Sequence, residues 1–358
     1  MPRMRPFPLS NDKEAPLGSL QSPSIFVVSA VAAIVFGAAA PAAAEEDKPS
    51  LTVYTYESFV ADYGPGPQIK AGFEKICGCT VKWVGLEDGV AILNRLKLEG
   101  ASTSADVVVG LDTNLIAEAK ATGLFAPHGA DTSAVDVPGG FSDPVFIPYD
   151  YGWFAVVYDS QAIGAPPQSL EELVSGNPEE KIAIEDPRSS TPGLGLLLWM
   201  KKVYGDSAEA KWRELSKRIL TVTPGWSEAY GLLTSGEVPM VLSYTTSPAY
   251  HVIEEESDRY RAAAFDEGHY IQIEVAGRIA SSDHPDLARD FLAYLISPAA
   301  QDVLPTTNWM LPAAATASPL PDAFKELVTP DKTLSFDPQT VADSRRAWTQ
   351  EWLQALGR

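Results

Sequence analysis

Runs of β-branched and aromatic residues alternate with helix-like stretches from residue 51 onward. Three strand-and-helix pairs follow one another, at residues 51–56 and 68–76, 80–84 and 90–98, and 106–110 and 114–122. In each pair a short apolar run of strand length precedes a stretch whose apolar positions recur at helical spacing. Strands that alternate with helices favour a mostly parallel sheet with helices on both faces. The pattern therefore predicts an α/β fold.

Two long strand-like stretches, at residues 145–158 and 269–275, interrupt this alternation. Between them lies a second α/β set, with strands at 181–184 and 238–243 and helices at 194–203 and 208–219. One set inserted in another, and joined to it by two extended crossings, predicts two lobes with a ligand cleft between them. Each lobe would be a mostly parallel sheet flanked by helices. We place lobe 1 at residues 45–148 and 275–358, and lobe 2 at residues 149–274 with the crossing strands at its edges.

Two further helical patterns, at residues 286–295 and 337–356, complete the outer shell of the predicted fold. The second carries Trp348 and Trp352 four residues apart, which places both on one helix face. We interpret these two tryptophans as core anchors rather than as ligand contacts.

The amino-terminal segment has the pattern of a secretory signal. Residues 25–40 are apolar, and Pro-Ala-Ala-Ala follows them up to Ala44. A basic lead-in, a short apolar core and small residues before a cleavage point are typical of a signal peptide, so we predict a signal at residues 1–44, cleaved after Ala44. A membrane anchor is the alternative interpretation, which the apolar run disfavours because it is slightly short for a bilayer span. The sequence therefore predicts an exported protein.

The charge balance limits the class of partner. The chain has 27 lysines and arginines against 47 aspartates and glutamates, a formal net charge of −20. Such a surface argues against nucleic acid and anionic lipid as partners, and it favours a cationic ligand.

The residues that usually carry covalent or metal chemistry are few. Cys77 and Cys79 flank a glycine and could close a small disulfide in an oxidising compartment, which favours a structural role. The four histidines are scattered without the spacing of a metal site. No Ser/His/Asp arrangement of known spacing and no dinucleotide motif occurs. We therefore expect a protein that is not an enzyme and that has no cofactor.

Ligands of open α/β sheets bind at the carboxyl ends of the strands, so the loops that follow strands are the candidate site. Those loops are rich in aromatic residues and carry two adjacent carboxylates. The aromatic residues are Tyr56, Trp226, Tyr244, Tyr250 and Trp309, and the carboxylates are Glu87 and Asp88. Aromatic faces hold flat or cationic ligands by stacking and cation–π attraction.

Two of these loops end in a hydroxyl followed by proline. Ser190 and Thr191 precede Pro192, and Ser247 precedes Pro248. A hydroxyl at the N-cap with proline in the first turn is typical of a helix start, and ordinary capping explains either one alone. Unpaired N–H groups at a helix start also attract anions. The loops together predict a ligand that is flat, aromatic and cationic at one end, with a phosphate possible at the other.

The motifs also carry a resemblance to a known family. The segments LTVYTYESF, LEDGVAILNRL, ADVVVGLD, PYDYGWFAVVYD, DPRSSTPGLGLLLWMKKVYGD, TPGWSEAYGL, LSYTTSPAYH, EGHYIQIEVA and PTTNWM run nearly end to end through the chain. In these segments the chain resembles the thiamine-binding periplasmic proteins of bacterial ABC importers. The resemblance implies a two-lobed periplasmic binding protein of type II that takes thiamine, and its mono- and diphosphate, to membrane permease subunits.

The resemblance also implies a set of ligand contacts. On the positions that match the family's motifs these are Asp88, Gly89, Ser190, Thr191, Trp226, Tyr244, Thr245, Thr246 and Ser247, with Tyr56, Tyr250 and Trp309 as further aromatic contacts around the rings. One departure concerns Tyr63, which stands where relatives carry tryptophan, and we assign it no contact.

Three other functions fit part of the pattern. A ferric-ion-binding protein uses an adjacent tyrosine pair, which this sequence lacks. A polyamine-binding protein would use the aromatic residues and carboxylates but has little need of anion-binding helix starts. A thiaminase-like enzyme shares the architecture and needs a cleft cysteine, which would have to be Cys77 or Cys79.

Overall fold

The computed structural model describes residues 48–357. The predicted signal segment 1–44 and its cleavage point after Ala44 lie outside these residues. Within the described part of the chain, the helices are all too short or too polar to cross a membrane.

The described residues form short strands and helices in alternation. The strands are β1 (Ser50–Tyr56), β2 (Thr80–Leu86), β3 (Val107–Asp112), β4 (Phe125–Ala126), β5 (Phe146–Asp159), β6 (Ile182–Glu185), β7 (Ile219–Thr223), β8 (Met240–Tyr244), β9 (Tyr260–Ala262), β10 (His269–Ile279), β11 (Leu311–Pro312) and β12 (Thr333–Leu334). The α-helices are α1 (Glu57–Val60), α2 (Gly66–Cys77), α3 (Gly89–Glu99), α4 (Ile116–Ala121), α5 (Leu170–Ser175), α6 (Thr191–Tyr204), α7 (Ala208–Leu215), α8 (Trp226–Thr234), α9 (Pro248–Glu254), α10 (Pro285–Leu295), α11 (Pro298–Gln301), α12 (Leu304–Thr307) and α13 (Pro338–Leu356).

The sheet consists of two parallel sets joined by two long antiparallel strands. Its main path runs in the order β2-β1-β3-β10-β5-β8-β6-β7. In one set β1 pairs in parallel with β2 and β3, and in the other β6 pairs in parallel with β7 and β8. Strands β5 and β10 pair with each other antiparallel and connect the sets. The predicted α/β architecture with two extended crossings is confirmed.

Both registers of β10 shift at the middle of the crossing. The pairing with β5 shifts between Glu274 and Val275, and the pairing with β3 shifts between Val275 and Ala276. A bulge bends its strand and increases the local twist, so we expect β10 to bend at this point. The predicted lobe boundary at residues 274 and 275 coincides with the bulge and stays a prediction.

One predicted helix is too long and conceals a strand. The helix predicted at 208–219 ends at Leu215, and Ile219 begins β7. The Arg218 guanidinium donates to the backbone oxygen of Glu180 at 3.1 Å, which holds the chain beside β6. The β-branched residues of β7 then pair in parallel with β6. Because Ile219 pairs with β6 in the sheet, α7 ends earlier than its apolar pattern predicts.

Helix α13 packs against elements of both strand sets. Trp352 is 1% exposed and meets Trp212 of α7 edge to face, with ring centroids 6.4 Å apart. Glu351 accepts from Lys201 of α6 at 3.0 Å, and Arg345 pairs with Glu118 of α4 at 3.2 Å. The core role predicted for Trp352 is confirmed.

We expect Trp352→Ala to lower the free energy of unfolding by about 3–5 kcal/mol, because it removes a fully buried indole and leaves a cavity. Trp348 is only half buried, against Phe336, so Trp348→Ala should cost clearly less. Denaturant unfolding of both variants measures the difference. Equal losses would show that α13 is not anchored through Trp352.

The two cysteines form a disulfide at the end of α2. Cys77 and Cys79 are bonded to each other, with Cα atoms 5.1 Å apart. Gly78 between them has φ of +62°, a left-handed conformation that suits glycine. The disulfide that the sequence left open is therefore present, between the end of α2 and the start of β2.

Candidate functional site

The carboxyl ends of four strands from both sets meet at one side of the sheet. Tyr56 ends β1, Asp88 follows β2, Glu185 ends β6 and Tyr244 ends β8. The loop after α12 adds Trp309. We call the region between these strand ends the cleft. The loops after β2 and β6, one from each strand set, are in contact there through Asp88 and Ser190.

Asp88 links the two strand sets directly. The Ser190 hydroxyl donates to Asp88 Oδ2 at 2.8 Å and accepts from the Gly193 amide at 3.3 Å, so it caps α6 as predicted. The Ala91 amide donates to the Ser189 oxygen at 3.0 Å beside this contact. The partner of the Ser190 hydroxyl at this helix start is thus the protein's own Asp88 carboxyl group.

Gly89, the first residue of α3, lies against Thr191, the first residue of α6. A Cβ atom at this position would lie 2.5 Å from Thr191 Oγ1, and closer still to the backbone oxygen of Gly110. The Thr191 side chain is buried, and its hydroxyl has no hydrogen-bond partner among the described residues. Gly89 and Thr191 are thus brought together, and the buried Thr191 hydroxyl has no partner within residues 48–357.

The second hydroxyl-proline motif is not a helix cap, so this prediction is wrong. Ser247 has helical backbone angles, φ −55° and ψ −34°, and its side chain makes no capping bond. Its hydroxyl instead lies 2.7 Å from Ser243 Oγ and accepts from the Tyr244 amide at 3.3 Å. The hydroxyl therefore closes the turn after β8 and leaves no anion site at the start of α9.

The two threonines of the same turn are buried. The Thr245 amide donates to the Trp153 oxygen at 2.9 Å, and the Thr246 hydroxyl lies 3.9 Å from Met310 Sδ. Each side chain is 1% exposed. Both threonines hold the turn between β8 and α9 against β5 and the loop after α12.

Trp226 begins α8 with one face covered. Its ring stacks on Tyr230 with centroids 4.9 Å apart, and its indole N–H donates to Ser243 Oγ at 2.8 Å. The bond to Ser243 ties the indole to the same hydroxyl pair that includes Ser247. The ring is therefore fixed in orientation while remaining half buried.

Tyr250 and Trp309 form a second aromatic pair. Their rings meet edge to face at 5.3 Å between centroids. Trp309 has φ of +56°, a left-handed conformation that is uncommon for a bulky side chain. Such strain persists only where surrounding structure enforces it, and it concentrates at ligand-binding positions.

Tyr56 differs from the other predicted aromatic contacts. It is 6% exposed, and its hydroxyl donates to Glu274 Oε2 at 2.9 Å. Tyr149 donates to the same oxygen at 3.0 Å, and Asn308 donates to Asp150 Oδ2 at 2.7 Å. Tyr56 thus belongs to a buried polar network on the crossing strands, and it forms a wall of the cleft.

Sequence reasoning missed four buried carboxylates beside the cleft. These are Asp112 at the end of β3, Asp150 on β5, Glu185 at the end of β6 and Glu274 on β10, each 5% exposed or less. The sequence does carry one signal for such groups, which is a charged residue inside an apolar strand run. Charged side chains are rarely buried without a partner, so a charge at a buried strand position is unusual. By contrast Glu87, which the loop pattern included, is exposed.

Burial shifts the ionisation of these carboxylates. It raises the pKa of Asp88 to about 7, and the Glu274 charge adds to this while hydrogen bonds from Ser190 and from the amides of Trp226 and Gly89 oppose it. Burial likewise raises the pKa of Asp112 to about 7. Burial and the Glu274 charge raise the pKa of Asp150 well above its ordinary value. The cleft is therefore poised to gain or lose protons near neutral pH.

Tyr244 lies among these buried carboxyl groups. Its hydroxyl donates to Gln272 Oε1 at 2.8 Å. Burial, followed by the charges of Glu274, Asp88, Glu185 and Asp150, raises the pKa of Tyr244 well above its ordinary value. A phenol close to four carboxyl groups stays neutral and marks the place where these acidic side chains converge.

Two parallel strand sets, joined by two long antiparallel strands with an acidic and aromatic cleft between the strand ends, define a two-lobed solute-binding protein of type II. A model of the family described as bacterial extracellular solute-binding protein matches residues 102–336.

Similar proteins place the chain more narrowly. The thiamine-binding periplasmic protein of Brucella abortus is 59% identical over 319 residues, which are 89% of this chain and 95% of that relative. The protein of the same name from Escherichia coli is 56% identical over 311 residues, 87% of this chain and 94% of the relative. A solved structure of a periplasmic thiamin binding protein superposes with a TM-score of 0.86 at 55% identity, covering 88% of this chain and 98% of that one. The chain belongs to the bacterial extracellular solute-binding proteins, in the group of the thiamine-binding periplasmic proteins.

Proposed function

We propose that the protein captures thiamine in the cleft and delivers it to the permease subunits of an ABC importer in the periplasm. The observation that carries the proposal is a buried cleft between facing strand ends. Its carboxyl groups have no cationic partner among the described residues, and its aromatic rings are held in fixed orientations. Thiamine has a flat aminopyrimidine and a permanently cationic thiazolium, which match these two features. The names and periplasmic location of the similar proteins support the same ligand and compartment.

The aromatic residues would hold the rings of the ligand. Trp226 presents the face that Tyr230 does not cover, and the Tyr250–Trp309 pair presents a second aromatic surface. Stacking and cation–π contacts of this kind stabilise a bound cation by about 0.5–2 kcal/mol each. In this proposal Trp226 stacks on one ring, and Tyr244, Tyr250 and Trp309 enclose the other sides.

The hydroxyethyl end of thiamine would lie near the start of α6. The Thr191 hydroxyl is buried there without a partner, and the first-turn amides of a 14-residue helix add partial positive charge. This single helix start is also where the terminal group of thiamine monophosphate or diphosphate would bind. Since Asp88 already occupies the Ser190 side of it, a phosphate would compete with that carboxylate.

The thiaminase-like alternative finds little support. Such an enzyme would need a free cysteine nucleophile, whereas both cysteines of the chain are bonded to each other at the end of α2. We propose that the protein binds thiamine without cleaving it. Incubation with thiamine and a nucleophilic base should leave the vitamin intact, and turnover would refute a pure carrier.

Tryptophan fluorescence during titration with a panel of ligands tests the proposal. We expect quenching at micromolar or lower thiamine, because Trp226 and Trp309 lie at the cleft. Putrescine and ferric citrate, which represent the polyamine and iron alternatives, should leave the signal unchanged. The two thiamine phosphates in the same panel rank the phosphorylation states. A response to putrescine or ferric citrate alone would contradict the proposal.

A further inference from the structure

Glu185 is a buried carboxylate for which the fold provides no partner. It ends β6, its side chain is 1% exposed, and neither of its oxygens accepts a hydrogen bond from another described residue. A buried polar group of this kind costs free energy, and a buried charge costs far more. Burial of Glu185 therefore costs folding free energy, which a role in ligand binding would explain.

The charged groups that face Glu185 are themselves acidic. Asp88 approaches from the start of α3 and Glu228 from α8, and Tyr244 lies beside it on β8. None of the ion pairs within residues 48–357 includes Glu185, Asp88, Asp150 or Glu274. The nearby Arg188 is exposed and engaged with Asp186 at the surface. The cleft thus groups carboxylates and supplies no cation for them.

Burial, together with the charge of Asp88, raises the pKa of Glu185 well above its ordinary value. The neutral form of its carboxyl is thereby favoured more than in a solvent-exposed glutamate while the cleft holds no cation. A cation placed beside it would reverse this preference, because an opposite charge at short range favours the ionised form.

Building on the proposed function, we infer that Glu185 is the counter-ion that selects a cationic ligand, and that capture exchanges the cation for a proton. The Glu185 O–H bond breaks, the proton passes to solvent, and the carboxylate keeps the electron pair and faces the cationic ring. One positive charge enters and one leaves, so the net charge of the buried cleft is unchanged. A neutral molecule of the same shape obtains no such partner.

The first test compares thiamine with its thiophene analogue, in which carbon replaces the thiazolium nitrogen and removes the charge. Calorimetry on the wild-type protein should give an affinity at least tenfold lower for the neutral analogue. Equal affinities would overturn the inference and leave the proposed function standing. If neither compound bound, the proposed function itself would fail.

The second test identifies Glu185 as the group involved. Calorimetry with thiamine in two buffers of different ionisation enthalpy counts the protons released, and Glu185→Gln should release fewer than wild type. The variant should also discriminate less between thiamine and its thiophene analogue. Glu179→Gln, an exposed glutamate just before β6, is the matched control and should behave as wild type. Unchanged proton release in Glu185→Gln would assign the proton to another group and overturn the role of Glu185.

The dependence of thiamine affinity on pH provides a third test. It would not change on removal of Glu185 if that residue had only a structural role. A cation competes with protons for the carboxylates, so affinity should rise with pH. Titration of Asp88, whose pKa burial raises to about 7, by itself gives a rise of about tenfold between pH 6 and pH 8, and ionisation of Glu185 adds to it. Removal of Glu185 should make this rise shallower, and an affinity that is flat or falls with pH would contradict proton exchange.

Discussion

Gly89→Ala is expected to weaken thiamine binding by an amount on the order of 1–3 kcal/mol, the usual cost of inserting a methyl group into a packed site. The added Cβ would lie 2.5 Å from Thr191 Oγ1. It would lie closer still to the backbone oxygen of Gly110, so α3 would have to move away from β3 as well as from the start of α6, which separates Asp88 from Ser190. Isothermal calorimetry of the variant measures the loss directly.

The matched control for this substitution is Gly231→Ala. Gly231 is in the interior of α8, and a Cβ there would meet no atom within 4 Å. Alanine favours a helix over glycine, so this variant should bind thiamine as wild type does and be slightly more stable. Full affinity in Gly89→Ala would show that close approach at Gly89 is not needed for binding.

Trp226→Ala is expected to reduce thiamine affinity by at least about 2 kcal/mol, roughly 30-fold, as for an aromatic anchor at the centre of a site. Its indole is held by Tyr230 and Ser243 before any ligand arrives, so little conformational entropy is lost on binding. Fluorescence or calorimetric titration gives the change in affinity.

Trp348→Ala provides the comparison for Trp226→Ala. Trp348 is a half-buried tryptophan of α13 that packs on Phe336, and it should affect stability more than affinity. Circular dichroism confirms that both variants are folded. If both lost the same affinity, stacking at Trp226 would have been confused with general support of the fold.

The main architecture was predictable because a strand buried in the sheet appears in the sequence as a run of apolar residues. Strands β5 and β10 carry long runs of apolar and aromatic residues, which predicted two extended crossings between strand sets. Strand β7 was missed because the apolar pattern of α7 continues into Ile219, and only pairing with β6 distinguishes the two states. Local periodicity cannot report a partner that is distant in sequence.

The candidate site was only partly predictable from the sequence. Ser190 caps α6 as its motif suggested, whereas Ser247 has the same motif and different backbone angles, so its hydroxyl serves the turn instead. The difference arises from Ser243 four residues earlier, which offers a hydroxyl partner across the turn. A two-residue motif contains no information about that contact.

The buried acids were the largest omission. Asp150 and Glu274 occupy strand positions that the sequence pattern marks as core, and their closeness depends on the register of β5 against β10. Asp150 lies directly opposite Glu274 in that register. A prediction from sequence would have required the register at the bulge, which the apolar pattern alone does not determine.

Calorimetric titration of the purified protein with thiamine tests the central claim most directly. We predict one molecule of thiamine per chain, with a dissociation constant in the micromolar range or below and a lower affinity in Trp226→Ala. The absence of binding heat at micromolar thiamine in two buffers, with a protein that is folded, would contradict the account.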